Sequence, residues 1–226
     1  MFTQAKGIRA PLLLLAFLAA APVGCGRRAS DRDRFLAAVA RARAGRADVI
    51  DVQGHAAVTD DDLALLEDLP GLRHLILDDA PITDEGLKHL ASLPDLEYLS
   101  LSNTQVTDAG LAHLAALGRL RFLRLDRLRV SDDGLRQLGG LTRLRVLSLW
   151  RCPVTDEGGR HLLGLTGLVE LSLDETRVTE VGAQRLLALP KLRHLSIWRT
   201  AVSPGAVEAL GRAAPKVKVH YWGTNP

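Results

Sequence analysis

The C-terminal part of the chain contains a glutamate, a histidine and two serines at positions related by a fixed spacing. Together these residue types could perform nucleophilic catalysis. Glu170 and His194 are 24 residues apart, and Ser172 and Ser196 each follow two residues later. On adjacent parallel strands, about 4.8 Å apart, these side chains would face the same way within reach of each other. Serine fills the same position in two earlier segments, however, and a flat sheet offers no oxyanion hole. We therefore predict no enzyme activity, and labelling by a serine-reactive fluorophosphonate would favour the hydrolase alternative.

Histidine and aspartate also recur at regular intervals, and both residue types are common metal ligands. His89, His113 and His161 share one position of a repeating pattern, but no carboxylate or thiol completes a zinc site beside them. A column of aspartates, 24 residues apart, comprises Asp84, Asp108, Asp132 and Asp156. This spacing cannot surround one calcium ion with six or more oxygens, so we interpret the column as helix caps. No CxxC, HExxH, GxSxG or Walker motif occurs, and we predict no metal and no cofactor.

Leucine is the most abundant residue, with 44 of the 226 residues, and it repeats with the same 24-residue spacing as these columns. The pattern Leu-x-x-Leu-x-Leu recurs every 24 residues, beginning at Leu72, Leu96, Leu120, Leu144, Leu168 and, with Ile as its last residue, Leu192. A second block follows in each unit, such as Val-Thr-Asp-Ala-Gly-Leu at residues 106–111. The first block alternates like a strand, and the second begins a short helix with a threonine cap. Each unit is therefore a strand, a turn and a helix that buries its leucines against neighbouring units.

Other positions predict how the units pack together and how the array ends. A glycine column indicates close approach between units, where a Cβ would not fit; its members are Gly86, Gly110, Gly134, Gly158 and Gly182. Cys152 occupies a turn position near the core, which predicts a structural thiol. Residues 31–45 can form a capping helix, and residues 217–222 alternate like a last strand with Tyr221 and Trp222 over the exposed core.

The units resemble leucine-rich repeats, of the subtype with Thr-x-Val/Ile-Thr-Asp-x-Gly-Leu found in bacterial repeat proteins and in F-box-associated repeats. A degenerate first unit around Ile50 and Val52 brings the total to about seven 24-residue repeats. The resemblance implies an α/β fold, a right-handed leucine-rich-repeat solenoid in the shape of a horseshoe arc. It places parallel strands on the concave side and short helices on the convex side.

The N-terminal segment resembles a bacterial lipoprotein signal. Lys6 and Arg9 precede an apolar run at residues 12–21, and Gly24-Cys25 follows. The run is shorter than the about 20 residues that a transmembrane helix needs. We predict a signal peptide at 1–24, a lipidated Cys25 with a tether and capping helix at 25–46, repeats at 47–216 and a capping strand at 217–226. The protein would be exported and anchored through the lipid on the periplasmic or cell-surface side, with a soluble secreted or periplasmic protein as the alternative.

The excess of positive over negative charge lies in the N-terminal segment. The formal net charge is +3 and the pI is about 9.1, which are values that suggest nucleic-acid binding. Residues 1–46 carry nine basic and two acidic side chains, whereas residues 47–226 carry twenty and twenty-four. Since the repeats are acidic overall and export separates them from nucleic acid, we predict no nucleic-acid partner.

The predicted concave surface carries aromatic and arginine side chains, although aromatic residues are only 4% of the chain. Tryptophan, tyrosine and arginine dominate the binding energy of protein interfaces. We therefore predict that a protein partner binds there through Tyr98, Phe122, Arg124, Trp150, Arg151, Trp198 and Arg199. Most of these side chains alternate with the buried strand leucines, and the same alternation predicts that Asp78, Asp126 and Asp174 face solvent. The alternative is that the bulky side chains only pack over the sheet.

Two other functions fit parts of the pattern. The resemblance to F-box-associated repeats suggests the substrate-recognition arm of a ubiquitin-ligase-type complex, but residues 31–46 are too short for an F-box and the signal peptide argues against it. A polysaccharide or another cell-envelope polymer could use the same tryptophan and arginine residues. We expect a monomer in each case.

Overall fold

The computed structural model describes residues 30–54 and 57–221, where eight short strands form one parallel sheet in sequence order. The strands are β1 (Val49–Asp51), β2 (His74–Ile76), β3 (Tyr98–Ser100), β4 (Phe122–Arg124), β5 (Val146–Ser148), β6 (Glu170–Ser172), β7 (His194–Ser196) and β8 (Lys218–His220). Each strand pairs with the next at equivalent positions, so Leu99 lies between Leu75 and Leu123. The 24-residue period therefore becomes one full coil of the chain per strand, and the predicted solenoid is confirmed.

Short helices return the chain between strands on the opposite face. They are α2 (Asp60–Leu63), α3 (Asp84–Leu87), α4 (Asp108–Leu111), α5 (Asp132–Arg136), α6 (Asp156–His161), α7 (Glu180–Leu186) and α8 (Pro204–Ala213), following α1 (Asp31–Arg43) at the N-terminal end. Four continue into 3₁₀ turns at Ala64–Leu66, Lys88–Ser92, Ala112–Ala116 and Leu162–Gly164. A threonine or serine precedes each of the eight α-helices in the described residues; for example, the Thr83 hydroxyl accepts the N–H of Glu85 at 3.3 Å. These caps satisfy amide groups that a helix start leaves without partners.

The core lies between the sheet and the helices and consists almost entirely of the periodic leucines. Leu75, Leu77, Leu87 and Leu90 of one coil are all 0% exposed. Each such leucine stabilises the fold by about 1.5–3 kcal/mol through burial. Cys152 joins this core, and its Sγ–H donates to the Leu125 carbonyl at 3.0 Å. Burial raises the pKa of this thiol to about 12, which confirms the prediction of a structural cysteine.

The aspartate column links neighbouring coils rather than capping its own helices, which corrects the sequence-based assignment. Asp84 accepts the Thr107 N–H at 2.7 Å and the Thr107 hydroxyl at 2.6 Å, one coil further on. Asp60, Asp108, Asp132 and Asp156 make the same pair of bonds to the following coil. A Cβ built on Gly110 would overlap the Asp84 carboxylate, and the other four glycines of the column face the preceding aspartate similarly. The glycine column is therefore required by these carboxylates.

Helix α1 covers the first coil. Its Phe35 and Val39 are buried in the common core, and Ser30 forms a reciprocal capping box with Asp33. Arg32 Nε donates to the buried Asp62 Oδ1 at 2.9 Å, which places the start of α1 beside the start of α2. No helix within residues 30–54 and 57–221 is long and apolar enough to cross a membrane.

The C-terminal end of the array is formed by β8, which lies within the segment predicted as the last strand. β8 pairs in parallel with β7, and Val217 directly before it is buried. The expected signal peptide, Cys25 and Trp222 lie outside the described residues.

Candidate functional site

The first group of predicted contact residues forms a row of rings across β2, β3 and β4. His74, Tyr98 and Phe122 occupy paired positions on these strands. The ring centroids of His74 and Tyr98 are 5.9 Å apart in an edge-to-face arrangement, and those of Tyr98 and Phe122 are 6.0 Å apart. Each of the three rings is half-buried. The group therefore packs over the sheet and still leaves part of each ring accessible to solvent.

Three aspartates on the same face are buried, so the prediction that they face solvent is wrong. Asp126 is 4% exposed and accepts the Ser148 hydroxyl at 2.5 Å and the Trp150 N–H at 3.1 Å. Asp78 binds Ser100 and Ser102, and Asp174 binds Ser196 and Trp198, in the same way. The partners of each carboxylate lie 22 and 24 residues further along the chain, on the next coil. A buried carboxylate is stable when hydrogen-bonded in this manner.

Arg124 is held between two of these carboxylates. Its guanidinium lies 3.1 Å from Asp126 Oδ2 and 3.9 Å from Asp78 Oδ2. Burial alone would lower the pKa of Arg124, but the charges of Asp126 and Asp78 outweigh it and raise the pKa. The side chain remains 44% exposed, so Arg124 presents a fixed positive charge beside the ring row.

The second group of predicted residues lies past the strand ends and is organised around Trp150. The guanidinium carbon of Arg127 lies 4.4 Å from the Trp150 ring centroid, and that of Arg151 lies 4.9 Å from it. These distances are within the range of cation–π attraction. Arg127 was not among the residues predicted from the sequence.

Glu175 connects this cluster to the next tryptophan. Its carboxylate accepts Arg151 Nε at 2.5 Å and lies 3.5 Å from Arg199, whose guanidinium carbon is 4.4 Å from the Trp198 ring centroid. Burial would raise the pKa of Glu175, but hydrogen bonds from Arg151 and Trp150 and the charge of Arg199 hold the pKa below its ordinary value. We call the connected set the rim network; it comprises Arg127, Trp150, Arg151, Glu175, Trp198 and Arg199.

Four members of the rim network share a left-handed backbone conformation with Asp79 and Asn103, the equivalent residues of the two preceding coils. Arg127, Arg151, Glu175 and Arg199 have φ values of 60°, 61°, 56° and 53°, in the left-handed region. Residues with a Cβ are strained there by roughly 1–2 kcal/mol relative to glycine. They are equivalent positions, 24 residues apart, so Arg127 and Glu175 could have been found by extending the column of Arg151 and Arg199.

The residues of the hydrolase alternative do not assemble as a triad. Glu170 and His194 are paired positions on β6 and β7, but His194 Nδ1 lies 3.2 Å from His220 Nε2. The hydroxyls of Ser172 and Ser196 both donate to Asp174, at 3.0 and 2.6 Å. Neither hydroxyl is hydrogen-bonded to a histidine, so the serine–histidine contact that a catalytic triad requires is not formed.

The histidine column gives no metal centre in the described part of the chain. His89 Nδ1 is hydrogen-bonded to the Glu67 carboxylate at the surface. No group of three or more histidine, cysteine, aspartate or glutamate side chains within these residues could hold a metal ion.

Comparison with known proteins agrees with the geometry. The family model described as Leucine Rich repeat matches residues 70–91 and 92–115. An internalin (InlF) from Listeria monocytogenes has a similar structure, with a TM-score of 0.61 and 24% identity over 81% of this chain and 48% of that chain. Internalin C2 (InlC2) of the same organism has a TM-score of 0.58 and 20% identity over 84% of this chain and 92% of that chain. No curated protein sequence matches.

The repeats and the fold together define a leucine-rich-repeat solenoid, in which an open arc presents parallel strands on one side and short helices on the other. At these identities the internalins establish the architecture alone. The chain spans about half the length of the first of them, since it covers 48% of that structure.

Proposed function

We propose that this protein is a non-enzymatic binding module that holds a protein partner on its strand face and on the rim network. The observation that carries the proposal is the connected set of half-buried tryptophans and exposed arginines from Arg127 to Arg199. Ion pairs and cation–π contacts hold these side chains in place before a partner arrives, which reduces the entropy lost on binding. Tryptophan and arginine are also the residue types that contribute most at protein interfaces.

The residue types at the rim add support to the proposal. Six consecutive coils have a left-handed residue at this turn position, so the conformation belongs to the repeat. The first two coils place Asp79 and Asn103 there, which are residue types that adopt this conformation more readily, whereas the last four place arginine or glutamate. Here the side chains extend the surface outward past the strand ends, where a partner can reach them.

A protein partner fits the rim better than a neutral polysaccharide does. Sugars bind tryptophan by stacking on the open face of the indole, whereas two guanidinium groups lie over the Trp150 ring. A sugar would have to displace an arginine from the ring. A protein partner can instead bind the arginines through carboxylates or carbonyls and pack its apolar side chains against the indole edges.

We extend the proposal to location: the protein is an exported monomer, anchored to a membrane through lipid on Cys25. Support comes from Lys6, Arg9, the apolar run at 12–21 and the Gly24-Cys25 pair. Membrane fractionation and mass spectrometry test it, because a lipidated protein begins at a modified Cys25 and partitions into membranes. The Cys25→Ser variant should appear in the soluble fraction, and an uncleaved N-terminus would refute the location.

The partner is identified by site-specific photo-crosslinking. A photoreactive residue replaces either Asn103 or Gln137, and both are exposed. Asn103 occupies the position equivalent to Arg127 in the preceding coil, beside the rim network, whereas Gln137 lies on the helical side. A partner of this surface cross-links from position 103 and not from position 137. Its dissociation constant is then measured by calorimetry for the wild type and two double variants.

The Trp150→Ala/Trp198→Ala variant is expected to raise the dissociation constant by about a thousandfold, since each hot-spot side chain contributes about 2 kcal/mol or more. The matched control is Leu163→Ala/Val181→Ala, which removes two exposed apolar side chains from the helical side. Circular dichroism should be unchanged in both variants. Equal affinity of the tryptophan variant and the control would refute the rim as the binding surface.

A further inference from the structure

A group of basic side chains lies along the edge of the sheet where the C-terminal strands begin. We call this group the basic strip, and it comprises Arg143, Arg145, Lys191, Arg193, Lys216 and Lys218. All six side chains are exposed, and none has an ion-pair partner among the residues that the structure describes. They immediately precede or begin β5, β7 and β8. This edge is opposite the rim network, which follows the strand ends.

The charge on this edge is segregated along the solenoid. The segments that lead into β5, β6, β7 and β8, at residues 139–145, 163–169, 187–193 and 211–217, contain no acidic residue. One acid adjoins them: Glu170 begins β6, at the strand position that Lys218 occupies in β8. In the preceding coils, by contrast, Asp95 pairs with Arg119 and Glu97 lies 3.6 Å from Arg121. The cations of the fourth coil are therefore balanced by acids of the third, whereas the later cations are not.

Unbalanced cations at this spacing favour a ligand with several negative charges. Adjacent coils are about 4.8 Å apart, so the strip extends over about 15 Å from the coil of β5 to that of β8. Its charges lie within or near a Debye length of each other, about 8 Å at physiological salt, and repel one another in the free protein. A linear polyanion laid across the coils would relieve this repulsion and release its own counterions.

The side chains around the strip restrict the type of polyanion. The four strand-leading segments contain no phenylalanine, tyrosine or tryptophan. The nearest rings, His194 and His220, stack on each other with centroids 5.5 Å apart, so nucleic-acid bases find little free ring surface on which to stack. Only small or aliphatic residues, such as Gly167 and Val169, lie between the basic pairs, so a folded protein finds little apolar surface to bury. Arginine pairs bidentately with phosphate, and lysine binds phosphate as a point charge.

The position of α1 argues against a membrane surface as the ligand. The contact between Arg32 and Asp62 places the start of α1 beside the start of α2, at the edge where the strands end. Ser30, which caps α1, therefore lies at the edge opposite the basic strip. A membrane close to Ser30 would adjoin the rim side of the molecule rather than the strip.

We propose that the basic strip binds a linear phosphate polymer through ionic contacts and charge-assisted hydrogen bonds to its phosphates. This site is separate from the rim network, and neither site needs the other to be correct. The polymer runs along the edge of the sheet across the last coils, with its phosphates beside the paired cations of Arg143 with Arg145 and Lys191 with Arg193.

Inorganic polyphosphate is the probe, and calorimetry on the full chain at several salt concentrations is the measurement. The strip variant replaces Arg143, Arg145, Lys191 and Lys216 with glutamine. The control variant makes the same four-charge change at other exposed arginines without ion pairs among the described residues, Arg41, Arg129, Arg177 and Arg185. Both variants should retain the wild-type circular dichroism, because all eight side chains are exposed.

The strip variant is expected to bind polyphosphate at least about tenfold more weakly than the control at physiological salt. The slope of log K against log salt should fall by about three, because each of the four cations releases about 0.7–0.9 counterions when it binds a phosphate. Equal reductions in affinity in the two variants would overturn the proposal, since net charge rather than the strip would then explain binding. Two other results would overturn the assignment to a phosphate polymer. One is that single-stranded DNA or polyglutamate binds more tightly than polyphosphate of equal charge. The other is that the protein binds phosphatidylglycerol vesicles and does not bind polyphosphate.

Discussion

Replacing Gly110 with alanine tests whether the hydrogen bonds between coils hold the solenoid together. The added Cβ would overlap Oδ1 of Asp84 and lie 3.2 Å from the Asp84 Cα. Asp84 can move only by releasing Thr107, whose N–H and hydroxyl it accepts at 2.7 and 2.6 Å. The substitution therefore removes two hydrogen bonds to a charged acceptor.

The expected magnitude follows from this geometry. Each hydrogen bond to a charged group contributes about 2 kcal/mol, so the two together contribute about 4 kcal/mol. Alanine is a better helix former than glycine by about 1 kcal/mol, which offsets part of the loss because Gly110 lies within α4. We therefore expect Gly110→Ala to lower the free energy of unfolding by about 3 kcal/mol.

Urea unfolding followed by circular dichroism measures this change. The matched control is Gly118→Ala, because no described heavy atom would lie within 4 Å of its added Cβ, and we expect a change within about 0.5 kcal/mol. Asp84→Ala alone should cost about 4 kcal/mol. Adding Gly110→Ala to it should cost nothing further and should restore up to about 1 kcal/mol, because only the gain in helix propensity remains. If Gly110→Ala costs as much without the Asp84 carboxylate as with it, the explanation of the glycine column is wrong.

Three other residues give independent tests. Asp174→Ala should destabilise the protein by about 3 kcal/mol in thermal unfolding, because it leaves the buried Ser196 hydroxyl and the Trp198 N–H without an acceptor. Burial, followed by neighbouring positive charge, lowers the pKa of His220, so its contribution to stability is present above the unfolded pKa and is lost as the pH falls through the folded pKa. His220→Asn should therefore lose less stability than the wild type between about pH 7 and pH 5 in urea titrations, and a larger loss would contradict the sign. Cys152, with its pKa raised to about 12, should not react with a thiol reagent near neutral pH until urea unfolds the chain, and rapid labelling of the folded protein would contradict its burial.

Many features of the fold were predictable because they depend on spacing within one coil. The leucines that start each unit at 24-residue intervals become the buried side chains of consecutive parallel strands. The glycine column and the buried Cys152 follow from the same period, since an equivalent position has an equivalent environment in every coil.

The functional surface was predictable only in part. Trp150 and Trp198 were identified by their positions beside strand leucines, but the sequence did not distinguish an exposed side chain from one bound to its neighbour. Asp126 illustrates the difference: it alternates like an outward-facing residue, yet its hydrogen-bond partners on the next coil bury it. Burial of a polar side chain depends on the acceptors and donors around it, which come from residues far away in the chain.

The sequence by itself determined the coil, because hydrophobic periodicity requires each strand and helix to bury the same face against the next unit. Only the tertiary structure decided which charges are paired. Glu175 is clamped between Arg151 and Arg199, whereas Arg143 and Lys191 remain without acidic partners among the described residues. Ion pairs act over a few ångströms, and side chains 24 residues apart come within that distance only after the chain has completed a full turn.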